Sequence, residues 1–188
     1  MPKRIPVVAI LASLMVIPSM VAAQASQTPE EFAVAYMDAT RAADWPRVAG
    51  LMHPDALQQF KDMFAPIAEV DTTGEVLSNL FGVSSAAAYA TTPPDSIYMG
   101  FMAAMMNLSP DLAGALSGST IQPIGHIEEK ATELTFIVFR MTMQAESMSI
   151  SEVNVIPLKK HGGSWKAMLT GEVQGMAEAL KKGLGIGM

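Results

Sequence analysis

An α+β fold, helices first and an antiparallel sheet after them, is predicted by a change of hydrophobic period along the chain. From Phe32 to about Leu108 the apolar residues recur at spacings of three and four, and from Ile121 to about residue 170 they alternate. A further observation is the absence of cysteine. Neither disulfides nor thiolate metal sites can contribute, so the fold rests on its apolar core alone.

Thr28-Pro29-Glu30-Glu31 combines a capping hydroxyl, a residue with preset φ and two carboxylates at the positive helix end, which predicts a helix start. Phe32, Ala35, Tyr36, Ala39 and Ala43 form its stripe, and Ala33, Val34 and Met37 widen it until the helix is apolar nearly all round. Asp44 repeats the start signal before Trp45-Pro46, and a short helix carrying Val48 and Leu51 stops between Gly50 and His53. Leu57, Phe60, Met63 and Phe64 continue a helical period that Pro66 interrupts or ends. Residues 71–92 mix turn formers with short apolar clusters, giving a short helix and then a loop. Thr92-Pro93-Pro94-Asp95 starts another helix, with Ile97, Tyr98, Phe101, Met102, Met105 and Leu108 on its stripe.

The alternating half predicts strands near 120–129, 132–145, 148–159 and 164–170, and a short amphipathic helix over Glu172 to Leu184. A hairpin symmetric about Glu146 sets Arg140 opposite Glu152, Val138 opposite Asn154, Phe136 opposite Ile156 and Leu134 opposite Leu158 on one face. A slip of one residue would send every side chain to the other face.

The first 25 residues have a basic start at Lys3 and Arg4, an apolar run from Ile5 to Ile17, and small residues at Ala22, Ala23 and Ala25. They read as a secretory signal peptide cleaved after Ala23 or Ala25, leaving residues 26–188 as one exported, most simply periplasmic, domain. No later apolar run reaches the roughly 18 residues of a membrane span. The net charge of −6 becomes more negative once Lys3 and Arg4 are removed, which argues against a nucleic-acid partner.

The segment Ala42-x-Asp44-Trp45-x-x-Val48-x-x-Leu51-x-His53-Pro54-Asp55, together with the later His161-Gly162-Gly163-Ser164-Trp165-Lys166, resembles the nuclear transport factor two-like (SnoaL-like) superfamily. The resemblance implies a cone-shaped fold in which N-terminal helices pack into a curved antiparallel sheet, with a ligand pocket inside its concave face. Against that pattern, residues 71–118 form a helical insertion that could cover or line the pocket. The superfamily holds enzymes and non-enzymes alike. The Tyr/Asp and Tyr/His/Asp constellations of ketosteroid isomerase and scytalone dehydratase have no residue-by-residue counterpart here.

His53 and Asp55, a histidine beside a carboxylate, could act as a general base; the plainer reading is a helix start in which Asp55 bonds local backbone donors. Arg140, Glu152 and Asn154, with His126 and Glu128, could form a polar cluster inside the sheet that orients an acid or carbonyl, or an exposed cross-strand ion pair. Tyr36 is placed to face either the pocket or the core. Met99, Met102, Met105 and Met106 on one helix and Met141 and Met143 on one strand could ligate Cu(I), line a pocket for an apolar molecule, or fill the core. No His-x-x-x-His pair, Ser-His-Asp spacing or phosphate loop is present.

The resulting expectation is an exported, non-catalytic module that binds an apolar small molecule or another protein, with no cofactor or metal. Its expected ligand-binding residues are Tyr36, Met102, His126, Arg140, Glu152 and Asn154. An isomerase, dehydratase or hydrolase using polar residues of the same pocket is the alternative, and a homodimer formed through the sheet is a further possibility.

Overall fold

Thr28 opens the first helix as its sequence predicts. In the computed structural model its hydroxyl accepts the Glu31 amide at 3.1 Å while the Glu31 carboxylate accepts the Thr28 amide at 2.9 Å, a reciprocal cap that satisfies two otherwise orphan donors. The structure describes residues 27–145 and 148–185; the leader read in residues 1–25 and the turn at Glu146 lie outside them. Helix α1 (Pro29–Arg41) buries Phe32, Ala33, Met37 and Ala39 but leaves Val34 exposed. It is therefore one-sided rather than buried all round. Ala43, at φ 51°, makes the tight connection to α2 (Trp45–Leu51), where the Asp44 carboxylate accepts the Arg47 amide.

Helix α3 (Pro54–Val70) runs straight through Pro66, which neither ends nor interrupts it. The missing amide costs a hydrogen bond, yet Phe60, Phe64, Ile67 and Ala68 on both sides of the proline are buried on one face, and that packing outweighs the loss. The Asp71 carboxylate then accepts the Gly74 and Leu77 amides, both at 2.9 Å, to start α4 (Glu75–Phe81). Where the sequence suggests a loop there is a further helix, α5 (Ala86–Thr91), capped by Ser85. Helix α6 (Pro94–Leu108) follows as expected, and Ser109-Pro110-Asp111 starts an unanticipated α7 (Pro110–Ser117).

An aromatic cluster joins the middle helices. Phe60 and Phe64 of α3 meet Phe81 of α4 and Phe101 of α6 with ring centroids 4.8 to 5.8 Å apart, and Tyr89 and Tyr98 complete the group. Each pair adds roughly 0.5–1.5 kcal/mol beyond its buried area. The backbones of α4 and α6 approach so closely that a Cβ on Gly100 would lie 2.4 Å from the Phe81 carbonyl oxygen.

The sheet is an antiparallel meander in the order β1 (Thr120–Glu129), β2 (Leu134–Ala145), β3 (Met148–His161), β4 (Ser164–Ala167). Helices α1 and α7 pack on its β1–β2 side, and α8 (Gly171–Gly183) packs on α3. The buried residues of helices and strands form one cluster. Helix and sheet are joined where the His53 amide donates to the Ala167 carbonyl at 2.8 Å and Met52 bridges Ala167. No described helix is long and apolar enough to cross a membrane.

The hairpin register differs by one residue from the symmetric expectation. Pairing continues to Ala145 opposite Met148, so Arg140 faces Val153, Val138 faces Val155, Phe136 faces Pro157, and Glu152 faces Met141. Cross-strand contacts agree: Thr142 Oγ1 lies 3.3 Å from Ser151 Oγ, and Gln144 Nε2 donates to Ser149 Oγ at 3.2 Å.

Gly100→Ala is expected to lower stability by about 1–3 kcal/mol, the usual cost of overpacking. Urea unfolding measures it, and a loss below about 0.5 kcal/mol would show that α4 and α6 separate freely.

Candidate functional site

Successive side chains of a strand point to opposite faces, so the register decides which residues can meet. On the inner face lie Thr135, Ile137, Phe139 and Met141 of β2 and Leu158, Ile156, Asn154 and Glu152 of β3. Burial declines along this face toward the β2–β3 connection: Leu158 is fully buried, Asn154 half-buried and Glu152 exposed. Arg140 is exposed on the opposite face, between Gln122 and Val153. The expected Arg140–Glu152 pairing is therefore replaced by two separate, solvated charges.

Asn154 is the unusual member. Its Nδ2 is shut off from solvent and has no hydrogen-bond partner among the described residues. Such a group costs about 1–3 kcal/mol. It faces Phe139 across the ladder and shares its side of β3 with Ile156.

Tyr36 on α1 is half-buried, stacked against Phe32 at 6.1 Å, with its hydroxyl donating to Met52 Sδ at 3.7 Å. Burial pushes its phenol up, and the adjoining Tyr98 phenol partly opposes this; Tyr98 is itself raised by burial first and by Tyr36 second. Two neutral phenols can donate hydrogen bonds but supply no base near neutral pH. Met102 is half-buried against the core together with Met99, Met105 and Met106 of the same helix and Met141 of β2.

His126 also lies on the inner side, opposite Ile137, but is turned to the first helix: its Nδ1 is 2.7 Å from Glu30 Oε1. That hydrogen bond is the main reason the Glu30 carboxyl sits below its ordinary value. β2 lies between the strands of His126 and Asn154, which puts their backbones about 10 Å apart at a strand spacing of roughly 4.8 Å. Glu128 is exposed farther along β1.

His53 is 5% exposed and serves the start of α3, with Nδ1 accepting the Asp55 amide at 3.1 Å. Histidine, not Asp55, is thus the capping side chain; the Asp55 carboxylate points into solvent, 77% exposed and 3.6 Å from the ring. Burial is the largest cause of a lowered His53 pKa, opposed by Asp55 and reinforced by His161, Lys159 and Lys166. The His161 ring meets His53 edge-on at 5.1 Å. No group of three or more His, Cys, Asp or Glu among the described residues is arranged to hold a metal.

Two of the hollows among the described residues lie elsewhere. One of about 480 Å³ is lined by Leu134, Phe136, Val155 and Pro157 on the outer face of the sheet and by the segment from Met168 to Glu172. The other, of about 350 Å³, lies where α2, α3, α6 and the β3–β4 turn converge. Its polar residues, Asp95, His161 and Lys166, drew no functional reading from sequence because each sits in what reads as an ordinary helix start or hairpin.

No family model, curated protein or solved structure matches this chain.

The lowered His53 pKa fixes the sign of a pH effect. The neutral ring accepts the Asp55 amide, so its contribution is full above histidine's ordinary pKa of about 6.5 and is lost as pH falls below it. Denaturant titrations should show stability declining as pH falls below about 6.5. In His53→Asn, which keeps an acceptor at the helix start, that decline should shrink; an unchanged decline would assign it to other groups.

Proposed function

We propose that the chain is an exported, non-catalytic binding module of the nuclear transport factor two-like type, holding an apolar small molecule between the first helix, the inner face of the sheet and the methionine-rich α6. The architecture supports the fold assignment: a capped first helix, the short α2 with its Met-His-Pro-Asp turn, then an antiparallel meander with α1 against β1 and β2. The observation that carries the functional reading is Asn154. The unmet donor beside Phe139 and Ile156 would be satisfied by one acceptor of an otherwise apolar ligand that parts the packing around it.

Half-buried Tyr36, Met102 and Met141 supply an adaptable apolar lining for it. Separation favours binding over the isomerase, dehydratase or hydrolase alternative: Arg140 and Glu152 are on opposite faces, and His126 is engaged with Glu30. Export rests on the leader-like residues 1–25.

A second reading, self-association through the outer face of the sheet, is favoured by its exposed apolar residues. Ile127 is 64% exposed, Val153 59% and Val155 45%, beside half-buried Phe136 and Val138. A face of this kind is commonly an interaction surface.

Asn154→Leu tests the pocket. Native mass spectrometry of the protein isolated from its own envelope should find a small apolar species on the parent chain and none on the variant. The ligand-free variant should be as stable as the parent or more so, by about 1 kcal/mol, because an unpaired donor has been removed. Retention of the same species by Asn154→Leu would discard Asn154 as its anchor.

For the second reading, sedimentation at several concentrations should give a dimer for the parent and a monomer for the Ile127→Asp/Val153→Asp double variant. A parent that stays monomeric at about 100 μM, a concentration at which a Kd of 1 μM gives nearly full dimer, would remove that reading.

A further inference from the structure

The 350 Å³ hollow between α2, α3, α6 and the β3–β4 turn has opposite charges on different walls. Lys166 of β4 and His161 at the end of β3 lie on one wall, and Asp95 at the start of α6 on another. Met52, Leu57 and Met99 supply apolar surface in the same hollow. Asp95 and Lys166 do not form an ion pair with each other; the ion pairs among the described residues lie elsewhere.

Each charge is held in place by the backbone. Lys166 Nζ donates to the Gly50 carbonyl, which fixes the ammonium at the rim and leaves donors free. Asp95 Oδ1 accepts its neighbour Ser96's amide at 2.7 Å and the Ser96 hydroxyl at 3.4 Å, while no partner of Oδ2 is found among the described residues. Lys159 stands opposite Lys166 across the β3–β4 ladder and adds a second cation to that hairpin.

A cavity with a cationic wall, an anionic wall and an apolar lining matches a small zwitterion with an apolar substituent. We infer that this hollow binds a free α-amino acid with an apolar side chain, its carboxylate directed to Lys166 and His161, its ammonium to Asp95, and its side chain to Met52, Leu57 and Met99. None of the residues lining this hollow belongs to the inner face of the sheet. Carboxylate recognition alone would leave Asp95 repelling the ligand, and amine recognition alone would leave Lys166 doing so.

Isothermal titration of the whole protein at pH 7 with L-leucine, 4-methylpentanoate and 3-methylbutylamine separates these cases, since the latter two each lack one of leucine's charges. Leucine should bind one-to-one, and each analogue about tenfold more weakly or worse, a loss of 1.4 kcal/mol. Asp95→Asn and Lys166→Met should each weaken leucine by about tenfold or more. Asp95 is exposed and ties no elements together, so Asp95→Asn decides the matter even where Lys166→Met, which cuts the tie to Gly50, fails to fold. No heat from leucine up to about 10 mM, well above a millimolar Kd, overturns the inference. So does an analogue that binds as tightly as leucine, or an Asp95→Asn variant of unchanged affinity.

Discussion

The hydrogen bond from the His53 amide to the Ala167 carbonyl joins residues far apart in sequence and holds the helical half of the molecule to the sheet. Around it the contacts are dense. His53 starts α3 through its ring, Met52 bridges Ala167, and Lys166 reaches the Gly50 carbonyl. The turn between α2 and α3 is thus fastened to β4 by backbone and side chain together. Tyr36 bonds Met52 at this junction, and the hollow with Asp95 on one wall and Lys166 on another opens beside it. Both proposed sites depend on where this seam places the helices.

Burying His53 to make the seam has a chemical consequence. A ring that must accept a backbone amide is useful only when neutral, and burial above all keeps it so, with the neighbouring lysines adding to the effect. The same residues that would attract a carboxylate therefore also disfavour protonation of the histidine. Structure and recognition draw on one local field.

Much of the helical half was legible because its punctuation is local. Thr28 and Asp44 cap by reaching amides three residues on, a signal that needs no tertiary knowledge. Pro66 misleads because proline's local cost was overruled by packing on either side of it. The strands too were legible in extent, but not their register. Leu134, Phe136 and Val138 on one face of β2 are about as apolar as Thr135, Ile137 and Phe139 on the other, so alternation alone does not choose the buried side. That one-residue ambiguity decided whether Arg140 could join Glu152, and with it the polar half of the expected site. Asn154, Tyr36 and Met102 kept inward or half-buried positions under the true pairing. The charged hollow was illegible because Asp95 comes from the start of α6 and His161 and Lys166 from the distant β3–β4 hairpin, each explained well enough by its own local structure.

The meander order of the sheet bears on how the chain reaches this arrangement. Every strand pairs with its neighbour in sequence, so the sheet can close as a series of hairpins, each paying only a short loop's entropy. Helices α3 to α6 likewise meet elements near them in the chain. Longer stretches are spanned by the contacts of α1 with α7, β1 and β2, by those of α3 with α8, and by the closure of His53 on Ala167. Short-range contacts favour rapid folding, and the contacts of α3 with α8 and of His53 with Ala167 need the last part of the chain. A chain that emerges end first can therefore assemble its helical layer early and wait for β4 to complete the joint.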